Sequence, residues 1–313
     1  MLTYNQDTPV LLLIFNRPDT TKLVFDSIRK VKPRKLYISA DGARHEKEKA
    51  LCDLTRAIVS GIDWPCEVKT QFSPINKGCK LAISDGITWF FDNEEEGIIL
   101  EDDCLPSLSF FSFCSLLLQQ YRHDDRIGHI GGSNLQLGLL RGEASYYFSR
   151  LTHVWGWAGW RRVWKDYDVE MKTYPHFKEM NYLEKVASHA PFKHLWDHAF
   201  QETFSKKIDT WDYQYAYLNL VNNRLSIIPN VNLISNLGFG NQATHTFNEN
   251  NVYANLKLDS IDTMDHPLFF IEDVDADIFT QQQEAQGNIK KKGVLSRSWK
   301  SLKSLLKPAK TNL

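Results

Sequence analysis

The sequence predicts an α/β protein with a mostly parallel central sheet flanked by helices, and three observations carry that expectation. Short apolar runs, Pro9-Val10-Leu11-Leu12-Leu13-Ile14-Phe15, Lys35-Leu36-Tyr37-Ile38-Ser39-Ala40 and Gly97-Ile98-Ile99-Leu100, read as strands buried on both faces. Stretches with helical apolar spacing separate them, so strand and helix alternate through about residue 105, the pattern of a parallel sheet. Each run ends abruptly in polar or charged residues: Asn16-Arg17, Asp41-Gly42 and Glu101-Asp102-Asp103. Ligands of open α/β sheets bind outside the carboxyl ends of the strands, which makes these endings the first candidates for a site.

The elements follow in order. The first run turns through Asn16-Arg17-Pro18-Asp19-Thr20 into a helix from Thr20 to Lys30, with Leu23, Val24, Ile28 and Val31 on one face. Arg17 carries a planar fork that meets phosphate oxygens in pairs, although a surface arginine capping a loop fits the same place. Asp41 closes the second strand, where a carboxylate suits the base or ribose of a nucleotide; Asp-Gly is equally a simple turn. The charged segment His45 to Lys49 leads into a helix through Leu51, Leu54, Ile58 and Val59, then a third strand, Cys66 to Thr70. Asn76-Lys77-Gly78 opens a helix with Leu81, Ala82, Ile83, Ile87, Phe90 and Phe91 on its apolar face, and this helix delivers the chain to the acidic strand. Three adjacent carboxylates repel one another unless a cation or hydrogen-bond donors compensate them. Glu101-Asp102-Asp103 therefore reads as a site for a divalent metal carrying a phosphorylated ligand, with a solvated acidic turn as the plain alternative.

The second half is less regular. Phe110 to Tyr121 is helical, Arg126 to Gly132 is a strand with a glycine exit, and Tyr146-Tyr147-Phe148 reads as an edge strand. Trp155-Gly156-Trp157-Ala158-Gly159-Trp160-Arg161-Arg162-Val163-Trp164 places four tryptophans close together; flat aromatic faces between glycines suit sugar rings as well as cores, and Trp160 and Trp164 are expected in the core. Thr210-Trp211-Asp212 opens another helix, with Asp212 as either a structural cap or a general base. A terminal strand from Arg224 to Pro229 leads into Asn236-Leu237-Gly238-Phe239-Gly240-Asn241-Gln242-Ala243-Thr244-His245, a glycine-spaced polar loop expected to act as a lid; His245 is a candidate to approach a metal or diphosphate, with an ordinary loop residue as the plain alternative.

Composition bounds the rest. The chain of 313 residues, with 42% hydrophobic and 24% charged residues, suits a globular body with a sizeable core. Its five cysteines, Cys52, Cys66, Cys79, Cys104 and Cys114, are odd in number and form no C-x-x-C pair, which speaks against a disulfide framework or zinc knuckle and for a reducing compartment. Met1 to Thr8 resembles no signal peptide and no apolar run reaches bilayer length, so a cytoplasmic location is the expectation. Net charge is −1, yet eight basic residues and no acid lie between Lys290 and the last residue, leaving about −9 on the body. A body this acidic is a poor partner for nucleic acid. Val294, Leu295, Trp299, Leu302, Leu305 and Leu306 recur at helical spacing among those lysines, the pattern of an amphipathic helix on an anionic membrane surface; a floppy basic extension is the alternative. The division expected is a catalytic domain over 1–285 and a basic amphipathic tail over 286–313, with the protein peripheral on the cytoplasmic membrane face.

The ordered set Phe15-Asn16-Arg17, Ser39-Ala40-Asp41, Leu100-Glu101-Asp102-Asp103, Trp155-Gly156-Trp157, Trp211-Asp212 and Gly238-Phe239-Gly240 resembles the GT-A nucleotide-sugar glycosyltransferases, closest to the N-acetylglucosaminyltransferase I type, over about residues 9 to 250. The resemblance implies a GT-A fold and an inverting transferase that uses a UDP-sugar and Mn²⁺ or Mg²⁺, acting on a glycan or lipid-linked glycan acceptor. It implies that Arg17 holds the diphosphate, Asp41 the uracil and Asp102 the ribose, and that Asp103 is the sole direct protein ligand of the metal. Glu101 and Trp211 would contact the donor sugar, with Trp155 beside them, and Asp212 would be the base. Asn241-Gln242 departs from the basic residues that follow Phe-Gly in that family. A sugar-phosphate nucleotidyltransferase is a second possibility, although Asn16-Arg17-Pro18 stands where its glycine-rich basic loop belongs. A catalytically silent, membrane-associated nucleotide-sugar binding protein is a third.

Overall fold

The computed structural model describes residues 2–186, 190–239 and 251–291 of the 313. The first half alternates as expected: β1 (Val10–Ile14), α1 (Pro18–Val31), β2 (Lys35–Ala40), α2 (Glu46–Ile58), β3 (Glu67–Phe72), α3 (Gly78–Asn93) and β4 (Glu96–Glu101). After them come β5 (Cys104–Pro106), α4 (Leu108–Gln120), β6 (Ile127–Gly131), β7 (Tyr146–Ser149), β8 (Trp157–Trp160) and the short α5 (Arg161–Trp164). The chain continues through α6 (Tyr174–Glu179), α7 (Leu183–Val186), α8 (Ala190–Phe204), α9 (Asp212–Val221), β9 (Leu225–Pro229), β10 (Ile234–Asn236) and α10 (Val274–Lys291).

Eight strands form one sheet in the order β3-β2-β1-β4-β8-β6-β9-β7, with helices against it. The α/β class with a large helix-flanked central sheet is thus the one the sequence predicts. β3, β2, β1 and β4 run parallel, as do β6 and β9; β8 runs against both its neighbours and β7 against β9. β1 sits between β2 and β4 and all five of its residues are buried, the reason its sequence is apolar without alternation. Pro18, at the first turn of α1, accepts the loss of an amide that would be unpaired there anyway. Val24, Phe25 and Ile28 turn inward, whereas Leu23, expected with them, is 49% exposed. Leu51, Leu54 and Leu81 are likewise exposed: α2 turns Glu48, Cys52 and Thr55 inward and α3 turns Ser84, Gly86, Ile87, Phe90 and Phe91 inward.

Trp157-Ala158-Gly159-Trp160 is a fully buried central strand, and Trp157, Trp160 and Trp164 are all core residues. Tyr146–Ser149 is the expected edge strand, but Leu225–Pro229 is interior, between β6 and β7. The cysteines are free. α10 runs through position 285, so a tail counted from 286 begins inside a helix. The amphipathic pattern from Val294 onward, Asn241-Gln242 and His245 lie outside the described residues. Among the described residues no helix is long and apolar enough to cross a membrane.

Candidate active site

Register places the candidate residues on one rim. Leu13 pairs with Ser39 on one side and Glu101 on the other, and Ile14 with Ala40, so Phe15-Asn16-Arg17, Asp41 and Asp102-Asp103 all leave neighbouring parallel strands at the same end. Two strand spacings, about 10 Å, separate the exits of β2 and β4. The Cys79 thiol, on the second residue of α3, is pushed upward by burial and then by the charges of Glu101, Asp212 and Asp209, with Arg17 opposing. It marks the point where these groups converge.

Arg17 is the cation of the cluster. Its Nη1 forms a close ion pair with Asp103 Oδ2 and lies 3.5 Å from Asp102 Oδ1. Burial lowers the affinity of its guanidinium for the proton, and the two aspartates more than restore it. Asp102 Oδ2 also accepts the Phe15 amide at 2.9 Å, which fastens the acidic turn to the β1 exit. Burial pushes Asp102 up to about 7 with Asp103 adding to it, against the pull of Arg17. Glu101 is raised well above the usual carboxylate range by burial and by Asp103, Asp102 and Asp212. Three carboxylates thus crowd one guanidinium, with Asp212 acting on Glu101 from beside them, an imbalance that a divalent cation relieves.

The fit to a metal rests on that donor set. Among the described residues no three His, Cys, Asp or Glu side chains are arranged to hold an ion by themselves. A hard cation bound through one carboxylate and the oxygens of a phosphorylated ligand needs no such group.

Asp212 is the first residue of α9, one place inside the cap occupied by Trp211. Its Oδ1 accepts a close hydrogen bond from the Thr210 hydroxyl and another from the Tyr213 amide at 2.9 Å. Thr210 escaped sequence reasoning; a hydroxyl two residues before a helix-opening acid is its only signal.

Two expectations are corrected. Trp211 is 3% exposed, its ring stacked on Trp157 at 6.0 Å and beside Tyr215 at 6.2 Å, so its face serves the core and not a sugar. The helix it caps packs against the tryptophan strand, and an indole there fills the seam. Asp41 is taken up by its own chain: its carboxylate accepts the amides of Gly42 (2.8 Å), Lys77 (2.9 Å) and Gly78 (3.2 Å) and the side-chain amide of Asn76 (2.8 Å). These bonds use the acceptor positions a carboxylate has, so Asp41 anchors the start of α3 and does not read a base directly. A cavity of about 190 Å³ opens beside it, lined by Ser39, Ala40, Gln71, Phe72 and Lys77 among others.

Trp155 is partly buried at the rim, its ring edge-to-face with Phe239 at 5.6 Å. β10 pairs antiparallel with β5, and the Leu237 amide donates to the Asp103 carbonyl at 2.8 Å. Gly238 then presses on Asp103: a Cβ there would stand 2.0 Å from Asp103 Oδ2. The glycine spacing of this loop was visible in the sequence, but not its partner.

Glu48, also missed, braces the β1 exit. Buried, it accepts from Asn16 Nδ2 at 2.7 Å, from the Arg44 amide at 2.8 Å and from the Arg44 guanidinium. The Arg44 side chain, helped by its amide and Asn16 and opposed by burial, lowers Glu48 to about 2 from an ordinary 4.5. A depressed carboxylate stabilises the fold above its unfolded pKa and loses that contribution as pH falls through the folded one. Glu48→Gln is therefore expected to lower the urea midpoint at neutral pH, the gap closing between about pH 4.5 and pH 2.

No family model and no curated protein matches this chain. Several solved structures are similar to it at low identity. The galactosyltransferase LgtC, solved in complex with donor and acceptor sugar analogs, is 10% identical over 94% of this chain and 99% of its own, with a TM-score of 0.37. HddC from Yersinia pseudotuberculosis is 10% identical over 51% of this chain and 80% of its own, TM-score 0.33. The 4-diphosphocytidyl-2C-methyl-D-erythritol synthase from Anaerococcus prevotii DSM 20548 is 8% identical over 56% and 85%, TM-score 0.32. Likenesses of this size assign no role to any residue here.

Proposed function

We propose that the chain is a metal-dependent inverting glycosyltransferase of the GT-A type, moving a sugar from a UDP-sugar to the hydroxyl of a glycan or lipid-linked glycan. One observation carries the reading: Arg17, Glu101, Asp102 and Asp103 meet on one sheet rim within electrostatic reach of Asp212. Asp103 would hold Mn²⁺ or Mg²⁺, which supplies positive charge to the departing diphosphate. Arg17, turning from Asp103 to the phosphates, would steady the same charge with its fork. Asp102 would hold the ribose, and the cavity beside Asp41 would take the base. Glu101 and Trp155 would border the sugar, while Trp211 holds Asp212 from behind. An acceptor hydroxyl that attacks the anomeric carbon must lose its proton, and the Asp212 carboxylate takes it. One displacement from the opposite face inverts the anomeric configuration. A cytoplasmic, membrane-peripheral setting follows from the basic segment beyond Lys290 and belongs to the same proposal.

Calorimetric titration with a panel of UDP-sugars, with and without Mn²⁺, tests the donor site. Metal-dependent binding of at least one donor by the native chain, lost in Asp103→Ala, is the expected result; equal heats from both proteins would overturn the assignment. Release of UDP and not pyrophosphate during turnover distinguishes the transferase from a nucleotidyltransferase.

A further inference from the structure

β3 closes one side of the eight-stranded sheet, and its outer edge carries no strand. Its register with β2 is continuous from Glu67 to Phe72. The Glu67 amide donates to the Arg34 carbonyl at 2.8 Å and the Ser73 amide to the Ala40 carbonyl at 2.9 Å, so the odd-numbered residues of β3 bond inward. Val68, Thr70 and Phe72 therefore turn both their N–H and C=O groups outward, and no described residue pairs with them. The opposite edge is treated differently. β7 is covered by the chain's own segment 265–273: the Ser145 amide donates to the Asp265 carbonyl and the Asp273 amide to the Phe148 carbonyl, both at 2.8 Å, with a bridge between Phe148 and Glu272.

β3 also lacks the usual guards of an exposed edge. It holds no proline or bulge, and its single lysine, Lys69, sends Nζ back across the sheet to 3.2 Å from both Tyr37 Oη and Asn93 Oδ1. Val68 and Phe72 are each 40% exposed and share a face with the exposed Thr70.

This edge is complementary to itself. When a second copy lies antiparallel with Thr70 on the twofold axis, Thr70 pairs with the second copy's Thr70 and Val68 with its Phe72, all of them outward-facing residues that can exchange N–H···O=C bonds. Aromatic–β-branched and Thr–Thr pairs are among the stabilising ones across strands. On the other face Lys69 meets Gln71 and Glu67 meets Ser73, so no like charges stand directly opposite. An axis at Lys69 would oppose the two lysines, and an axis at Val68 would leave Phe72 without a strand partner.

We infer that β3 is a self-association surface, through which two copies of this chain pair edge to edge over residues 67–73, antiparallel, with Thr70 on the axis. That axis is normal to the sheet, so the rims of the two copies open in opposite directions and each keeps its own site. The inference does not rest on the transferase reading.

Sedimentation velocity of the full chain over a concentration series tests it, and the native chain should show a monomer–dimer equilibrium. Thr70→Lys should raise the dissociation constant about tenfold or more, because two ammonium groups then face each other at the axis, and Thr70→Asp should do the same. An equimolar mixture of the two variants should recover the dimer, since unlike chains then attract. Thr70→Pro removes an amide that points away from β2, so it should keep the native circular dichroism while losing the dimer. Leu139→Ser with Leu140→Ser, an exposed pair in the loop after β6, should associate like the native chain. A native chain that stays monomeric throughout, as when another segment of the chain covers the edge, would overturn the inference. So would native-like association of the Thr70→Lys variant, or a mixture no better than either variant alone.

Discussion

Asp212→Asn is expected to bind UDP-sugar as the native chain does while turnover falls by about 10²- to 10⁴-fold, the range removed with a general base. The substitution is nearly isosteric. An asparagine carbonyl still accepts from the Thr210 hydroxyl and the Tyr213 amide, so the opening of α9 keeps its shape. What is lost is the capacity to hold a proton from the acceptor. Calorimetry for the donor and a kcat determination for transfer make the check; turnover within a few-fold of native removes Asp212 from the mechanism. Thr210→Val separates positioning from proton transfer, because it leaves the carboxylate but frees its orientation.

Gly238→Ala should damage the site almost as deeply without touching a charged group. Its new methyl would overlap Asp103 Oδ2 at 2.0 Å and crowd Asn236 Oδ1 at 3.1 Å. The loop cannot simply retreat, since Leu237 is bonded to the Asp103 carbonyl and β10 is laddered to β5. Overpacking of this kind costs about 1–3 kcal/mol, which corresponds to roughly a 5- to 150-fold loss of metal-dependent donor affinity if all of it falls on the carboxylate. Any part of that cost not absorbed by the carboxylate should appear as a lower melting temperature. Donor affinity equal to native would show that Asp103 can shift away without consequence.

The parallel half of the sheet could be read from sequence because its strands are buried on both faces, and such strands are written as unbroken apolar runs. The acidic triplet was legible for a related reason: charge directly after a buried strand has to emerge at the strand's end. Trp157–Trp160 shows where reading stops. A four-residue run with internal glycine and two indoles fits a strand, a helix segment or an aromatic platform, and only its partners β4 and β6 decide. Trp211 and Asp41 show a second limit. Residue type proclaims what an indole or a carboxylate is able to touch, whereas Trp157, Lys77 and Gly78, distant in sequence, determine what it does touch. Leu23 and Leu54 make the converse point, as leucines at plausible helical spacing that the fold leaves in water.

The short ladder between Cys104–Pro106 and Ile234–Asn236 welds the acidic turn to the root of the following loop. Variation at 236–238 therefore disturbs the Asp103 carboxylate directly. The root and the acidic turn move as one piece, so a substitution in either strand of the ladder is felt by both.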